Sequence, residues 1–232
     1  MKNLFIGKYL VIALCLLSVQ SLIAKDIYLS VNGADTNNGL SESGAVATLT
    51  KALSLIEDGD NIRVSGIIDV SKEVSGIEGV AIPQMAFSII GDSPSTSGFT
   101  GNGVTRIFNI DSNDKETQYK NLSFINGAQN QTKGSAVFIQ NSRSVFTNCL
   151  FKNNIAVSCK GTVYLYTPNQ VEFYDCIFTD NQVQQGGAVF SEMRGKLVMD
   201  RCMITNCNLQ SVANSNGGGL QILGIESFVL KN

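Results

Sequence analysis

Two lysines offer this chain its clearest route to acid–base chemistry. Lys133 and Lys160 each stand directly before a glycine, in equivalent places of two sequence repeats. A lysine that has lost its proton can abstract the proton beside the carboxylate of an acidic sugar, if a cation stabilises the charge that develops. Arg143, Glu172 and Asp180 lie in neighbouring repeats and would complete such a polysaccharide lyase site. Solvated charges in turns explain these residues more simply, so both interpretations stay open.

A second candidate site consists of outward-facing apolar residues. If the strand after each glycine-rich turn alternates regularly, Ile139, Tyr164 and Tyr166 lie on its solvent face in adjacent repeats. Aromatic rings stacked on a flat sheet can hold a sugar ring or a partner protein. The alternative, which we favour, is that these side chains pack beneath a loop such as residues 208–216.

A third candidate is a weak calcium loop. Residues 35–39, which begin with Asp35, place oxygen-bearing side chains close together, and Glu42 follows them. The carboxylates are few, so a turn stabilised by its own Asp and Asn side chains is the preferred interpretation. We therefore expect no metal and no cofactor, with calcium as the one alternative.

The composition of the chain argues against several classes of function. The chain has 232 residues, a formal net charge of −2 and no histidine. A near-neutral charge argues against nucleic acid as a partner, because nucleic acids recruit a basic face. The absence of histidine removes the commonest general base and metal ligand, and it excludes the usual serine and cysteine triads.

A short repeat must position all of these residues. One motif recurs four times, as Phe124-Ile-Asn126, Phe151-Lys-Asn-Asn154, Phe178-Thr-Asp-Asn181 and Ile204-Thr-Asn-Cys207. A repeat this short cannot bury its own apolar face, so its copies must stack into one elongated core. Each copy contains three short strands, which predicts an all-β, right-handed, single-stranded parallel β-helix with rungs about 4.8 Å apart.

Alternation along the strands predicts the core. In the first strand of each copy, the core face contains Ala136 and Phe138, Val163 and Leu165, Ala188 and Phe190, and Leu220 and Ile222. In the second strand it contains Ser144 and Phe146, Val171 and Phe173, Leu197 and Met199, and Phe228 and Leu230. The third strand buries Phe151, Phe178 and Ile204, while Asn154 and Asn181 cap the turns by bonding backbone amides.

Three cysteines recur at one position of the repeat. Cys149, Cys176 and Cys202 should form an internal stack, since cysteine is small, soft and apolar. A disulfide within this column, or one that involves Cys159 or Cys207, is the alternative in an oxidising compartment. Zinc is not expected, because the cysteines stand one repeat apart rather than in close pairs.

The two ends of the chain differ from the repeats. Residues 1–24 have the pattern of a signal peptide, with an apolar run over 9–17 and a cut before Lys25. That run is too short for a membrane span, so we expect a mature chain without a transmembrane segment, secreted to the extracellular space or the outer-membrane surface. Residues 25–68 form a cap with the first rung, in which residues 47–56 are an amphipathic helix. Residues 69–232 form the remaining rungs, and the last copy stops early, which favours a front portion of a longer protein.

Two parts of the sequence resemble known families. The start, with Tyr28-Leu-Ser-Val-Asn-Gly33, Ala47-Thr-Leu49 and Asp58-Gly-Asp60, resembles the leading segment of exported right-handed parallel β-helix proteins of the pectate-lyase-like superfamily. The later part, with Gly186-Gly-Ala-Val189 and the two Phe-x-x-Asn copies, is similar to polymorphic outer-membrane protein repeats. The second resemblance implies a surface-displayed, often adhesive passenger. Asn126, one place early, and Ile204 and Cys207, in place of Phe and Asn, depart from its pattern.

These observations together predict an architecture and leave two functions. The first is a secreted or cell-surface β-helix that acts as a non-catalytic binding or adhesion module for a glycan or a host or cell-surface protein. The alternative is a polysaccharide lyase or another carbohydrate-active enzyme on acidic glycans.

Overall fold

The fold is a stack of parallel strands. A computed structural model describes residues 24–112, 114–129, 133–155, 160–192, 194–209 and 218–232. Every strand pair in these ranges is parallel, and each strand pairs with its equivalent in the next rung. The predicted signal peptide, apart from Ala24, and Cys159 lie outside the described residues.

Three long sheets run along the stack. Sheet A contains β1 (Asp26–Ser30), the first half of β2 (Asn61–Asp69), β4 (Phe87–Gly91), β7 (Glu116–Lys120), β10 (Arg143–Thr147), β13 (Gln170–Tyr174), β17 (Lys196–Asp200) and β21 (Ser227–Lys231). Sheet B contains the second half of β2, β5 (Ser97–Thr100), β8 (Ser123–Ile125), β11 (Leu150–Lys152), β14 (Ile177–Thr179) and β18 (Met203–Thr205). Sheet C contains β3 (Val80–Ile82), β6 (Phe108–Asp111), β9 (Val137–Gln140), β12 (Val163–Tyr166), β16 (Val189–Glu192) and β20 (Leu220–Leu223). A short fourth sheet pairs β15 (Gln182–Val183) with β19 (Asn208–Leu209).

The three long sheets enclose one hydrophobic core. Phe124, Phe151 and Phe178 lie directly over one another in sheet B, and their ring centroids are 4.8 and 4.6 Å apart. Phe146 and Phe173 stack in the same way in sheet A, at 5.0 Å. Since equivalent residues occupy one column, the repeat places like on like. The predicted parallel β-helix, and the predicted registers of the second and third strands, are confirmed.

The register of sheet C differs from the prediction because of a bulge. Lys133 pairs with Lys160, and the glycines that follow both have a φ of 67°, so the two turns are equivalent. Val137 nevertheless pairs with Val163, because Ala136 and Val137 both donate to the Thr162 carbonyl, at 2.9 and 3.2 Å. The rung of β9 thus has one residue more between its glycine and its strand than the rung of β12, which is the effect of a β-bulge. The rung of β16 has the same extra residue, since Lys160 pairs with Gln185 but Val163 pairs with Val189.

The bulge reverses the predicted faces of alternate strands in sheet C. Val137, Ile139 and Val189 lie in the core, whereas the sequence predicted them on the solvent side. Phe138 and Phe190, predicted for the core, lie on the outer face instead. The faces predicted for β12 are correct, with Val163 and Leu165 inside and Tyr164 and Tyr166 outside.

Asparagines stabilise the corners of the stack. The side chain of Asn154 accepts from the Gly127 amide at 2.7 Å, and it donates to the Phe124 carbonyl and to Asn181 Oδ1. Both Asn154 and Asn181 are fully buried, and Asn181 Oδ1 accepts from the Asn154 amide at 3.0 Å, which agrees with the predicted capping of backbone amides. The left-handed conformation belongs to the preceding column, which contains Asn126, Asn153, Asp180 and Asn206, with φ between 50° and 55°. Asn126 is therefore not displaced: Gly127 occupies the place of Asn154.

The amino-terminal segment closes one end of the stack. Helix α1 (Leu49–Leu53) is shorter than the predicted 47–56, but it buries Leu49 and Ala52 as expected. Residues 39–46 cover the outer edge of β1, where Tyr28 donates to the Gly39 carbonyl at 2.7 Å and Val46 pairs with Leu29. An uncovered edge would be a template for aggregation, so this segment has the capping role that the sequence predicted. In the described residues, no helix is long and apolar enough to cross a membrane.

Adjacent residues of β14 test the core. Phe178 is fully buried, whereas Ile177 points outward and is 36% exposed. We expect Phe178→Ala to lower the free energy of unfolding by about 3–5 kcal/mol, because it removes a ring from the stack and leaves a cavity. Ile177→Ala, the matched control, should lower it by less than about 1 kcal/mol. Urea unfolding followed by circular dichroism measures both, and equal losses would contradict the assigned faces.

The asparagine corner supports a second prediction. Asn154→Ala leaves the buried Gly127 amide and Phe124 carbonyl without their partner, which should cost about 2–4 kcal/mol of stability. Asn153→Gly changes the exposed neighbour, whose φ of 55° suits glycine, and should be almost neutral. The same unfolding measurement compares them, and a larger loss in Asn153→Gly would show that the left-handed column, not the buried amide, holds the corner.

Candidate functional site

The outer face of sheet C carries a column of aromatic rings. Phe138, Tyr164 and Phe190 are in register, and the ring centroids of neighbouring rungs are 5.7 and 5.3 Å apart. The Tyr164 and Phe190 rings are nearly parallel, with an interplanar angle of 4°. Although they face away from the core, the three side chains are only 9%, 2% and 0% exposed. We call Phe138, Tyr164 and Phe190 the outer aromatic column.

Cationic side chains lie over this column. Lys133 Nζ is 5.4 Å from the centroid of Phe138 and 4.5 Å from that of Tyr166, at the edge of the column. Lys160 Nζ lies 4.8 Å from the centroid of Phe190. These distances are those of cation–π interactions, which attract a positive charge to a ring face. The two lysines stack one rung apart, as the sequence predicted, but they do so as covers of aromatic rings.

A buried arginine fixes the turn that carries Lys133. Arg106 is 2% exposed, and its Nε donates to the Gly134 carbonyl at 3.0 Å while Nη2 donates to the Lys133 carbonyl at 2.5 Å. Its charge is balanced by Glu78, 2.7 Å from Nη1. Breaking such a buried, hydrogen-bonded charge would be costly, so Arg106 holds the backbone of Lys133 in one place. Arg106 is therefore a positioning residue for Lys133.

The two lysines differ in their charge partners. Lys160 Nζ lies 3.7 Å from Glu192 Oε2, and the Tyr164 hydroxyl donates to the same oxygen. Lys133 contacts only aromatic rings and has no carboxylate partner among the described residues. Of the two lysines, Lys133 is therefore the one whose ammonium can accept an external anion.

The accessible part of the site is its edge. Tyr166 is half-buried and lies in the outer row of sheet C, in register with Gln140 and Glu192. Further along this row, Thr167, Glu192, Arg194, Leu223 and Gly224 line a cavity of about 390 Å³. Arg194 is exposed and, in the part of the chain that the structure describes, forms no ion pair. We call Lys133, Tyr166, Glu192 and Arg194 the Tyr166 edge.

The structure brings together some of the predicted site residues and separates others. Lys133, Lys160, Tyr164 and Tyr166 converge on one face, but Tyr164 is buried beneath the lysines. Ile139 was predicted to face a ligand, and this is wrong, because the bulge turns it into the core with no exposed surface.

The residues that a lyase would need beside the lysines lie elsewhere. Arg143 and Glu172 are on the outer face of sheet A, and Asp180 follows sheet B. Glu172 accepts hydrogen bonds from Gln170 and Tyr174, and Asp180 lies 3.9 Å from Lys152. These acidic groups therefore interact with neighbours on their own sheets and not with the two lysines.

Sequence reasoning missed five members of the site. Phe138 and Phe190 were assigned to the core, and Arg106, Glu192 and Arg194 were not singled out. The sequence signal that could have revealed the bulge is the spacing between glycine and strand, which differs by one residue between copies.

The predicted calcium segment has a structural use. Asp35 accepts from the amides of Ala47 and Thr48 and from the Thr48 hydroxyl. Partial burial acts to raise the pKa of Asp35, but these hydrogen bonds outweigh it, so the pKa lies below its usual value. Asp35 thereby anchors the start of helix α1. Among the described residues, no group of three or more Cys, Asp or Glu is arranged to hold a metal ion.

The cysteine column is a packing feature. Cys149, Cys176, Cys202 and Cys207 are free thiols, and Cys176 donates to the Phe146 carbonyl at 3.5 Å. Burial raises the pKa of the Cys176 thiol. The pKa of the Cys202 thiol is also raised, chiefly because Cys202 is hydrogen-bonded to Cys176. Thiols held in the neutral form are poor nucleophiles and poor metal ligands. The hydrogen bonds that Cys176 forms with Cys149 and Cys202 agree with the predicted stack.

The raised thiol pKa values predict how stability depends on pH. Because the fold raises these pKa values, the thiol contribution is complete below the unfolded value of about 8.5 and is lost as the pH rises towards the folded values. We expect the unfolding free energy to fall between pH 8.5 and 10. Cys176→Ala should make this decline shallower by about 1.4 kcal/mol per pH unit, measured by urea unfolding. Parallel declines in both proteins would contradict a buried, neutral Cys176.

Comparison of the chain with protein-family models and with curated proteins gives no match. The parallel β-solenoid is established by the structure, and the two family resemblances seen in the sequence stay proposals.

Proposed function

We propose that this protein is an exported, non-catalytic binding module whose Tyr166 edge binds a glycan that carries acidic groups. The observation that supports the proposal is the position of Lys133, an ammonium without a described carboxylate partner, 4.5 Å from the ring of Tyr166. A cation and a partly exposed aromatic ring then stand side by side on a rigid sheet.

The chemistry of this pair suits an acidic sugar. Ring faces attract the Lys133 ammonium but leave its charge uncompensated, so a carboxylate or sulfate gains a charge-assisted hydrogen bond there. The face of Tyr166 can contact the apolar C–H face of the sugar ring. Lys160 adds little net charge, since Glu192 neutralises it, and Arg194 offers a second cation further along the edge.

Binding is favoured over catalysis for a physical reason. The two lysines that a lyase would use as bases are held over aromatic rings, and Arg143 and Glu172 lie on another sheet. A polysaccharide lyase or another carbohydrate-active enzyme is the alternative, and it predicts an unsaturated product.

The proposal includes the location of the protein outside the cell. The apolar run before Lys25 favours export, and the two resemblances favour a β-helix of the pectate-lyase-like superfamily with polymorphic outer-membrane protein repeats. An adhesive, surface-displayed role agrees with a stable scaffold that presents one charged aromatic edge.

Two substitutions test the site. We expect Lys133→Gln to weaken binding to immobilised alginate or chondroitin sulfate about tenfold, because it removes the charge and leaves a neutral polar side chain. Tyr166→Ala should weaken it by a similar factor. Lys152→Gln, on sheet B, is the matched control and should leave affinity unchanged. Surface plasmon resonance measures the affinities.

The same glycans separate binding from catalysis. A module that only binds should produce no ultraviolet absorbance from an unsaturated sugar. Product that disappears in Lys160→Ala would establish the lyase instead. Affinities that do not change in Lys133→Gln and Tyr166→Ala would place the binding site elsewhere.

A further inference from the structure

The start of β1 lies against a buried carboxylate. Asp60 is 5% exposed, and its Oδ1 accepts from the backbone amide of Lys25 at 2.9 Å. Its Oδ2 accepts from the Glu57 amide at 2.7 Å and lies 3.3 Å from Lys25 Nζ. Two of these three donors belong to Lys25, the residue just before β1.

The backbone of Lys25 is fixed in this position. Its carbonyl accepts from the Asn61 amide at 2.9 Å, and the next residue, Asp26, pairs with Asn61 in sheet A. Lys25 N therefore cannot leave Asp60 unless β1 also separates from β2. Ala24, on the other side of this nitrogen, is exposed, so the bond between the two residues is accessible.

The carboxylate is only partly compensated while that bond is intact. A buried charge is costly unless a charged, hydrogen-bonded partner balances it. The Lys25 side chain supplies one ammonium, but that side chain is 37% exposed and Glu57 competes for it at 3.6 Å. The two nearest donors, the Glu57 and Lys25 amides at 2.7 and 2.9 Å, are neutral.

Hydrolysis of one peptide bond would change this donor into a cation. Water adds to the Ala24 carbonyl, Ala24 keeps the new carboxylate, and the released nitrogen of Lys25 takes up protons to become an α-ammonium. A cut at a neighbouring bond of the leader or of β1 would place the new charge away from Asp60. The sequence pattern of the leader independently predicts a cut before Lys25.

We propose that the Ala24–Lys25 bond is the processing site of this protein, and that Asp60 is the receptor for the α-ammonium that processing releases. Removal of the leader then completes the amino-terminal cap, since the new ion pair ties β1 to the turn that precedes β2. The peptidase that cuts the bond depends on the export proposed above, whereas the role of Asp60 does not.

The ion pair can be tested on the full chain in vitro. A factor Xa recognition sequence in place of residues 21–24 lets the protease leave Lys25 as the first residue. We expect the cut to raise the melting temperature by about 2–4 °C, the effect of one good buried interaction in a domain of this size.

Two variants isolate the charge of Asp60. Asp60→Asn keeps one of the two acceptor oxygens and loses the charge, so the cut should no longer raise the melting temperature, whatever the stability of the uncut variant. Glu57→Gln, which removes the neighbouring exposed carboxylate, should keep the rise. The proposal is overturned if the cut gives no rise in the parent chain, or an equal rise in Asp60→Asn.

The processing site is tested separately. The chain with its own leader is expressed in an exporting bacterial host, and the exported protein is sequenced from its amino terminus. Lys25 as the first residue supports the assignment, and any other first residue overturns it. A chain that stays in the cell with its leader would contradict the proposed export. The factor Xa comparison would still decide the role of Asp60.

Discussion

The fold depends on the hydrogen bonds that join each strand to its equivalent one rung away. These bonds fix the register, so a residue type that recurs once per repeat becomes a continuous column. Columns of phenylalanine then supply stacked rings in the core, as with Phe124, Phe151 and Phe178. The same constraint makes polar residues possible inside, because Asn154 finds its partner in Asn181 directly over it.

Much of this architecture could be predicted from the repeat alone. The faces of sheets A and B, the cysteine stack and the capping asparagines follow from alternation and repeat length, since those copies have equal spacing. Sheet C could not be predicted in the same way. One extra residue between Gly134 and β9, relative to β12, shifts the register by one and exchanges the two faces of β9.

The candidate site was predicted in part for the same reason. Lys133, Tyr164 and Tyr166 were predicted correctly because their positions in the repeat are enough to place them on the outer side of sheet C. Arg106 comes from an earlier rung, and Glu192 from a later one, so their contacts depend on the stacking of distant residues. Repeat spacing predicts columns, but it does not predict which long side chain reaches across from one column to another.

The bulge also explains why this face is the one suited to binding. Had β9 and β16 kept the predicted register, Phe138 and Phe190 would point into the core, and Ile139 and Val189 would face outward. With the bulge, the rings instead align with Tyr164 on the outside, where apolar surface needs a cover. Lys133 and Lys160 cover it through cation–π contacts, and Glu192 balances only Lys160. The extra residues before β9 and β16 thus leave the Lys133 ammonium, which has no carboxylate partner in the described part of the chain, beside the ring of Tyr166. A ligand with an acidic group would use this arrangement.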